Sequence, residues 1–303
     1  MNDYNGQAVL LHIGLHKTAS TYLQESVFRP SQNIQFVSRE ITQRDKYWNM
    51  LQYADESTYD SASAQQAIRI QTAGDLPLVI SDESLSGKPV GFQYTNRSRT
   101  IQRLSSIFPE AHIVVFIRDQ VDILTSHYHS YVRMRYGTLP PSDFVWVPGR
   151  SSNAMYYDTN SYRVHVDGFL YSRLVNLLTS YFDSVTVLTY EDLAANPMSA
   201  ISAIEGILGT QLTRESQQFR NVSPSSQALS LRRRLNQLAP WLPAKSLNAV
   251  MNAYSHLPHE NSNAVRAQIR RSLGDYFSDD NLRLQEMLPT VHLNNVPGKY
   301  PTA

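Results

Sequence analysis

Val9-Leu-Leu-His-Ile-Gly-Leu-His-Lys-Thr-Ala-Ser-Thr-Tyr-Leu-Gln-Glu-Ser-Val-Phe28 decides how the rest of the chain is read. Val9 to Ile13 is short, mostly apolar and partly β-branched. Gly14 interrupts it, and Tyr22, Leu23, Val27 and Phe28 then recur at helical spacing. The pattern predicts strand, loop and helix in succession. His16, Lys17, Thr18, Ser20 and Thr21 fall between strand and helix, so an ammonium, several hydroxyls and the free amides of a helix start converge on a small volume. Unpaired N–H groups and the helix dipole both favour negative charge there, and the expected ligand is a phosphate or a sulfate.

An ATP-binding loop of the form Gly-x-x-x-x-Gly-Lys-Ser/Thr does not fit, because Lys17 follows Gly14 by three residues and no second glycine precedes it. The stretch instead resembles the 5′-phosphosulfate loop of sulfotransferases that use 3′-phosphoadenosine 5′-phosphosulfate (PAPS), in the bacterial and carbohydrate branch that reads G-x-x-K-T-G/A-S/T-T. Ala19 stands where many members carry glycine, which constrains the backbone at that position. The resemblance implies that His16, Lys17, Thr18, Ala19, Ser20 and Thr21 contact the donor.

Outward from this segment, strands and helices alternate. Ile34 to Val37 and Leu76 to Ile80 read as strands, and 45–53, 61–72 and 96–108 read as helices. Ala111-His-Ile-Val-Val-Phe-Ile117 is a continuous apolar run of the kind found in parallel sheets covered on both faces. The expected fold is α/β, a P-loop-like central parallel sheet flanked by helices. Arg118 follows that run directly. Asp119 suits an N-cap and Asp122 an acidic third position, so a helix is expected to begin there, with Arg118 and Ser126 facing one pocket. Arginine followed eight residues later by serine matches the 3′-phosphate motif of the same family. The chemistry is apt, since a guanidinium forks onto phosphate oxygens and a hydroxyl donates one more bond.

Residues 127–167 carry His127, Tyr128, His129, Tyr131, Tyr136, Tyr156, Tyr157 and Tyr162, interrupted by Pro140, Pro141, Pro148 and Gly149. They are expected to be mostly loop, with tyrosines that either grip a sugar or cap the core. Tyr162 to Tyr181 reads as an amphipathic helix and Val185 to Tyr190 as a strand. Tyr190-Glu-Asp-Leu193 resembles a structural signature of sulfotransferases. Helices expected over 200–208, 226–238, 244–254, 264–273 and 279–288 give a helical C-terminal extension, about 199–290, within a single domain 1–303. Its segment Tyr276-Phe-Ser-Asp-Asp-Asn-Leu-Arg-Leu284 resembles the family's closing sequence. Arg232, Arg233 and Arg234, the densest basic cluster, read as a solvated helix face or, as the resemblance implies, as a segment closing over the 3′-phosphate.

Composition bounds the function. The 303 residues suffice for one sizeable core, and a net charge of +1 argues against bulk nucleic-acid binding. Only five of the 27 basic residues are lysines, so Lys17 stands out in a chain that otherwise prefers arginine. The absence of cysteine excludes disulfides and thiolate chemistry and suits a reducing compartment. No apolar stretch has the length of a membrane span or a signal peptide, and the expected location is cytoplasmic.

The expected reaction is transfer of a sulfuryl group from PAPS to a hydroxyl of a saccharide or small metabolite, by in-line displacement and without a metal. Lys17 would meet the leaving oxygen. The acceptor needs a base: Glu83, at the end of the strand ending at Ile80, is the first choice, with His127 and His129 as alternatives. Asp82 could instead cap the next turn. His16 either touches the donor or braces the loop. A P-loop nucleotide kinase, dependent on ATP and Mg²⁺, and a catalytically silent nucleotide-binding protein are the rival expectations.

Overall fold

Side chains along the central strands alternate between two buried layers, as the pleat of a strand requires. In the computed structural model, which describes residues 6–89, 94–134, 137–150, 163–215, 226–238, 241–243, 245–247, 249, 263–289 and 291, these strands are β1 (Val9–His12), β2 (Gln35–Ser38), β3 (Leu78–Ser81) and β4 (His112–Ile117). Two short strands, β5 (Val145–Trp146) and β6 (Val164–His165), pair with each other, and β7 (Ser184–Thr189) completes the main sheet. Its order is β2-β3-β1-β4-β7, with every pairing parallel.

Leu10, Val79, Val114 and Phe116 pack on one face against Leu23, Val27, Phe28, Ile201 and Ile204. Leu11, Ile80, Ile113, Val115 and Ile117 pack on the other, with Ile101, Leu104, Ile123 and Leu124. Burial on both faces is the reason these strands read as unbroken apolar runs. The helix after β1 (Ser20–Leu23, continued by a π-helical turn Gln24–Phe28) lies on the first face. The helix after β4 (Gln120–Met134) lies on the second. Because β1 and β4 are neighbours and their connections leave to opposite faces, a crevice opens at their C-terminal ends, where open α/β sheets take ligands.

The expected α/β fold with a parallel sheet and C-terminal helices is the observed one. Two expectations need correction. His127, Tyr128, His129 and Tyr131 are not on a loop: the helix that starts beyond Asp119 runs on to Met134, because Ile123, Leu124, His127, Tyr128, Tyr131 and Val132 form one buried stripe. Tyr128 and Tyr131 pack against Phe144, so they serve the core rather than a sugar. Nor is 162–181 one helix. The chain passes through β6 and a 3-10 turn, Val166–Phe169, before the helix Tyr171–Thr179 begins. There Gly168 lies against the ring of Tyr94, where a Cβ would come within 1.9 Å of a ring carbon. Tyr136, Tyr156, Tyr157 and Tyr162, and most of the helix expected over 244–254, lie outside the described residues.

Of the C-terminal helices Ser226–Leu238, Ala264–Leu273 and Ser278–Met287, the last is tied by polar clasps to the helices Gln120–Met134 and Tyr171–Thr179. Gln120 Nε2 donates to Asn281 Oδ1 at 2.6 Å, and Asp280 accepts from the amide and hydroxyl of Ser172. The arginine cluster divides: Arg232 is fully buried and donates to the carbonyl of Arg133, while Arg234 is exposed. It is therefore not a uniformly solvated face. No helix among the described residues is long and apolar enough to cross a membrane.

Candidate active site

Gly14 turns the chain at the end of β1 so close to β4 that a Cβ would sit 3.3 Å from the Phe116 amide nitrogen. The loop beyond it curls tightly, with Lys17 at φ 74° and Ala19 at φ 65°, both in the left-handed region. Such conformations in non-glycine residues cost of order 1 kcal/mol each and persist where the surroundings enforce them. Here Thr18 Oγ1 donates to the Leu15 carbonyl at 2.6 Å, Ser86 Oγ to the Gly14 carbonyl at 3.3 Å, and Arg118 Nη1 to the Lys17 carbonyl at 2.9 Å. The Thr18 hydroxyl is thus turned inward onto its own loop. Ala19 is the N-cap of the following helix and offers no side-chain acceptor, so the first-turn amides lack a side-chain cap. Ser20 Oγ is buried without a partner, and Thr21 is exposed.

Burial is the main cause of a lowered Lys17 pKa; the charges of Arg39, Arg133 and Arg118 add to it, and Glu83 opposes them. Among the described residues no carboxylate forms an ion pair with Lys17. His16 Nδ1 is buried and unpartnered, and burial pushes the ring down to about 4, with Asp82 opposing and Lys17, Arg39 and Lys88 assisting. The ring of His127 lies 6.4 Å from that of His16 and 5.8 Å from Phe169, and its Nε2 is also buried and unpartnered. Burial, then the charges of His16, Lys17 and Arg118, hold it well below the ordinary histidine value. His129 is lowered to about 4, first by burial and then by Arg133, Arg118 and Lys17. All three imidazoles are neutral near pH 7 and act there as hydrogen-bonding groups, not as charges.

Glu83 opens the 3-10 turn Glu83–Ser86 just past β3. Asp82 caps that turn through its Ser84 contacts and accepts from Thr42 Oγ1 at 2.5 Å, so the cap does not draw on Glu83. Glu83 is buried, with Oε1 3.8 Å from Arg39 Nη1 and Oε2 unpartnered. The turn is braced from behind by Arg97, whose buried guanidinium donates to the carbonyls of Ser86 at 2.7 Å and Gly168 at 3.1 Å and stacks 3.9 Å from the Tyr94 ring centre.

Arg118, the first residue past β4, lies 4.1 Å over the Tyr190 ring, and its carbonyl accepts from Tyr171 at 2.5 Å. Its Nε is buried and unpartnered. Asp119 caps the next helix by accepting from the Asp122 amide at 2.8 Å. Ser126, half-buried, shares a helical stripe with His129 and Arg133, three and seven residues on. The charges of Arg118 and Lys17 act on His129, and that of Arg133 acts on both His129 and Lys17. Arg39 and Arg133 escaped the sequence reading. The available signals were position: Arg39 follows β2 as Arg118 follows β4, and Arg133 lies seven residues beyond Ser126.

The arrangement gathers Lys17, Arg39, Arg118 and Arg133 at the C-terminal end of the sheet, with several buried polar atoms that lack a hydrogen-bond partner: Ser20 Oγ, His16 Nδ1, Arg118 Nε, His127 Nε2 and Glu83 Oε2. Such atoms are costly to bury unless a ligand satisfies them. The cations among them suit an anionic ligand.

A sulfotransferase from Alicyclobacillus acidocaldarius is 15% identical, with alignment over 95% of this chain and 98% of that one at a TM-score of 0.56, which shows a shared fold. A sulfotransferase domain from the curacin biosynthetic pathway aligns over 93% and 98% at 14% identity and a TM-score of 0.38. No curated protein matches the sequence. The sulfotransferase domain model matches residues 9–270, from the first sheet strand to the next-to-last described helix, and the chain therefore belongs to the sulfotransferase family, whose members transfer sulfuryl groups.

Proposed function

We infer that the protein transfers the sulfuryl group of PAPS to a hydroxyl of a saccharide or other small metabolite. The observation that carries this reading is the bond from Arg118 to the Lys17 carbonyl, 2.9 Å long. It ties Arg118 to the loop of Lys17, which supports reading the two as arms that grip one nucleotide. On this reading the loop amides, His16, Ser20 and Thr21 hold the 5′ end, with Thr18 and Ala19 shaping the loop. Arg118 and Ser126 hold the 3′-phosphate, a group that ATP lacks.

The bound donor supplies an activated sulfuryl group. Glu83 takes the proton of the acceptor hydroxyl as that oxygen bonds to sulfur. The bond from sulfur to the phosphate oxygen breaks, its electron pair stays on the phosphate, and the Lys17 ammonium faces the charge that develops there. His127 and His129, neutral and close by, are suited to orienting groups by hydrogen bonds. The clasps of Gln120 to Asn281 and Ser172 to Asp280 support reading 1–303 as one domain.

Thermal shift with 3′,5′-adenosine bisphosphate, ADP and ATP-Mg²⁺ tests the donor. The bisphosphate at a hundredfold over its dissociation constant should stabilise by about 2.7 kcal/mol, and the others much less. Equal or greater stabilisation by ATP-Mg²⁺ would overturn the reading. A screen of hydroxylated acceptors with radiolabelled donor then identifies the acceptor.

A further inference from the structure

Two cations on the β3 side of the site, Arg39 and Lys88, are not assigned to the donor in the reading above. Arg39 is the first residue past β2 and Glu83 the second past β3, and the terminal pair Ser38 and Ser81 lie opposite each other, which brings Arg39 next to the Asp82-Glu83 step. The Arg39 side chain is 42% exposed, and its ion pair with Glu83 at 3.8 Å is too long for a hydrogen bond. Lys88 ends the same segment five residues after Glu83, with its ammonium 4.7 Å from the centre of the Tyr53 ring. Among the described residues no carboxylate pairs with it. Both charges act on His16, and that of Arg39 also reaches Lys17. Cations therefore continue from Lys17 toward β3 and β2, on the side of β1 opposite Arg118.

The donor reading gives the β4 side to the nucleotide, which leaves the β3 side, with Glu83, to the acceptor. A neutral polyol would leave the Lys88 ammonium without a counter-charge and the Arg39 guanidinium with only its long ion pair to Glu83. We propose that the acceptor is itself an anion, a hydroxyl compound bearing a carboxylate, sulfate or phosphate that Arg39 and Lys88 bind. The planar fork of Arg39 suits such oxygens bidentately, and Lys88 adds a point charge. Binding that anion holds the acceptor's hydroxyl at the unpartnered oxygen of Glu83. The proposal rests on the donor assignment for which side is the acceptor's.

The test uses the full chain saturated with 3′,5′-adenosine bisphosphate and follows its thermal midpoint against inorganic sulfate, with sodium chloride of equal ionic strength as reference. Sulfate should raise the midpoint above the chloride reference. Arg39→Gln and Lys88→Gln should each weaken sulfate binding about tenfold, and Arg39→Lys should retain most of it. An identical sulfate response in the wild type and the Arg39→Gln/Lys88→Gln double variant overturns the proposal, as does a wild-type response no larger than that to chloride. The bisphosphate response is measured first, without sulfate. Its absence overturns the donor assignment, and the sulfate comparison between wild type and double variant remains readable.

Discussion

Lys17 is held at positive φ, and its carbonyl is already taken by Arg118, so the backbone that carries its ammonium has little freedom to relax. An ammonium positioned for charge that develops during the reaction acts on turnover more than on binding. Lys17→Ala should lower kcat by about 10²–10³ while changing the bisphosphate dissociation constant about tenfold or less; calorimetry and steady-state rates together check this, and a loss confined to KM contradicts it. Glu83→Gln should leave bisphosphate binding within about twofold and lower transfer by about 10² or more. Near-normal turnover in that variant would shift the base to His127 or His129. Asp119 gives a separate pH signature. Burial, then Asp122, raises its pKa to about 7. A carboxyl raised in the folded state adds stability that is complete below its unfolded value near 4 and is lost as pH rises through about 7. Asp119→Asn keeps an N-cap-competent side chain, so it should flatten the fall in stability between pH 4 and 8 by about 2–4 kcal/mol. Urea midpoints across that range measure it.

The elements that carry these residues differ in how far their sequences disclosed them. The loop after β1 was legible because Gly14, Lys17 and Ser20 occupy fixed offsets beyond an apolar run, and the start of the helix after Asp119 was legible from its cap. The end of that helix was not: prolines at 140 and 141 and the crowd of tyrosines suggested loop, and only packing against Phe144 shows which aromatics are interior. The turn bearing Glu83 was placed correctly at a strand end, but its brace was invisible, since Arg97 and Gly168 lie 71 residues apart. A buried guanidinium with two carbonyl partners cannot be removed cheaply. Arg97→Met should cost about 2–4 kcal/mol and lower turnover as well, because the Ser86 carbonyl it releases belongs to the turn of Glu83. A stability loss with kcat unchanged would separate that brace from the chemistry.

At the scale of the molecule, the strand order was the part no local pattern contained. Apolar runs announced strands, yet the insertion of β3 between β1 and β2 follows from crossover connections that composition does not encode. That order alone makes β1 and β4 neighbours and so joins two motifs a hundred residues apart. Phe116 is fully buried in the layer containing Val114, Leu10 and Phe28. Phe116→Ala should cost about 3–5 kcal/mol, measurable as a lower denaturation midpoint.

The contact between Gly168 and Tyr94 has a consequence for inheritance and engineering alike. The aromatic ring occupies the volume any larger residue at 168 would need, and the same ring roofs the Arg97 guanidinium. Even a methyl group there must evict the tyrosine, uncover a cation and slacken the turn that bears Glu83. A position distant in sequence from Glu83 thus governs the turn that carries it, and is intolerant of the smallest enlargement.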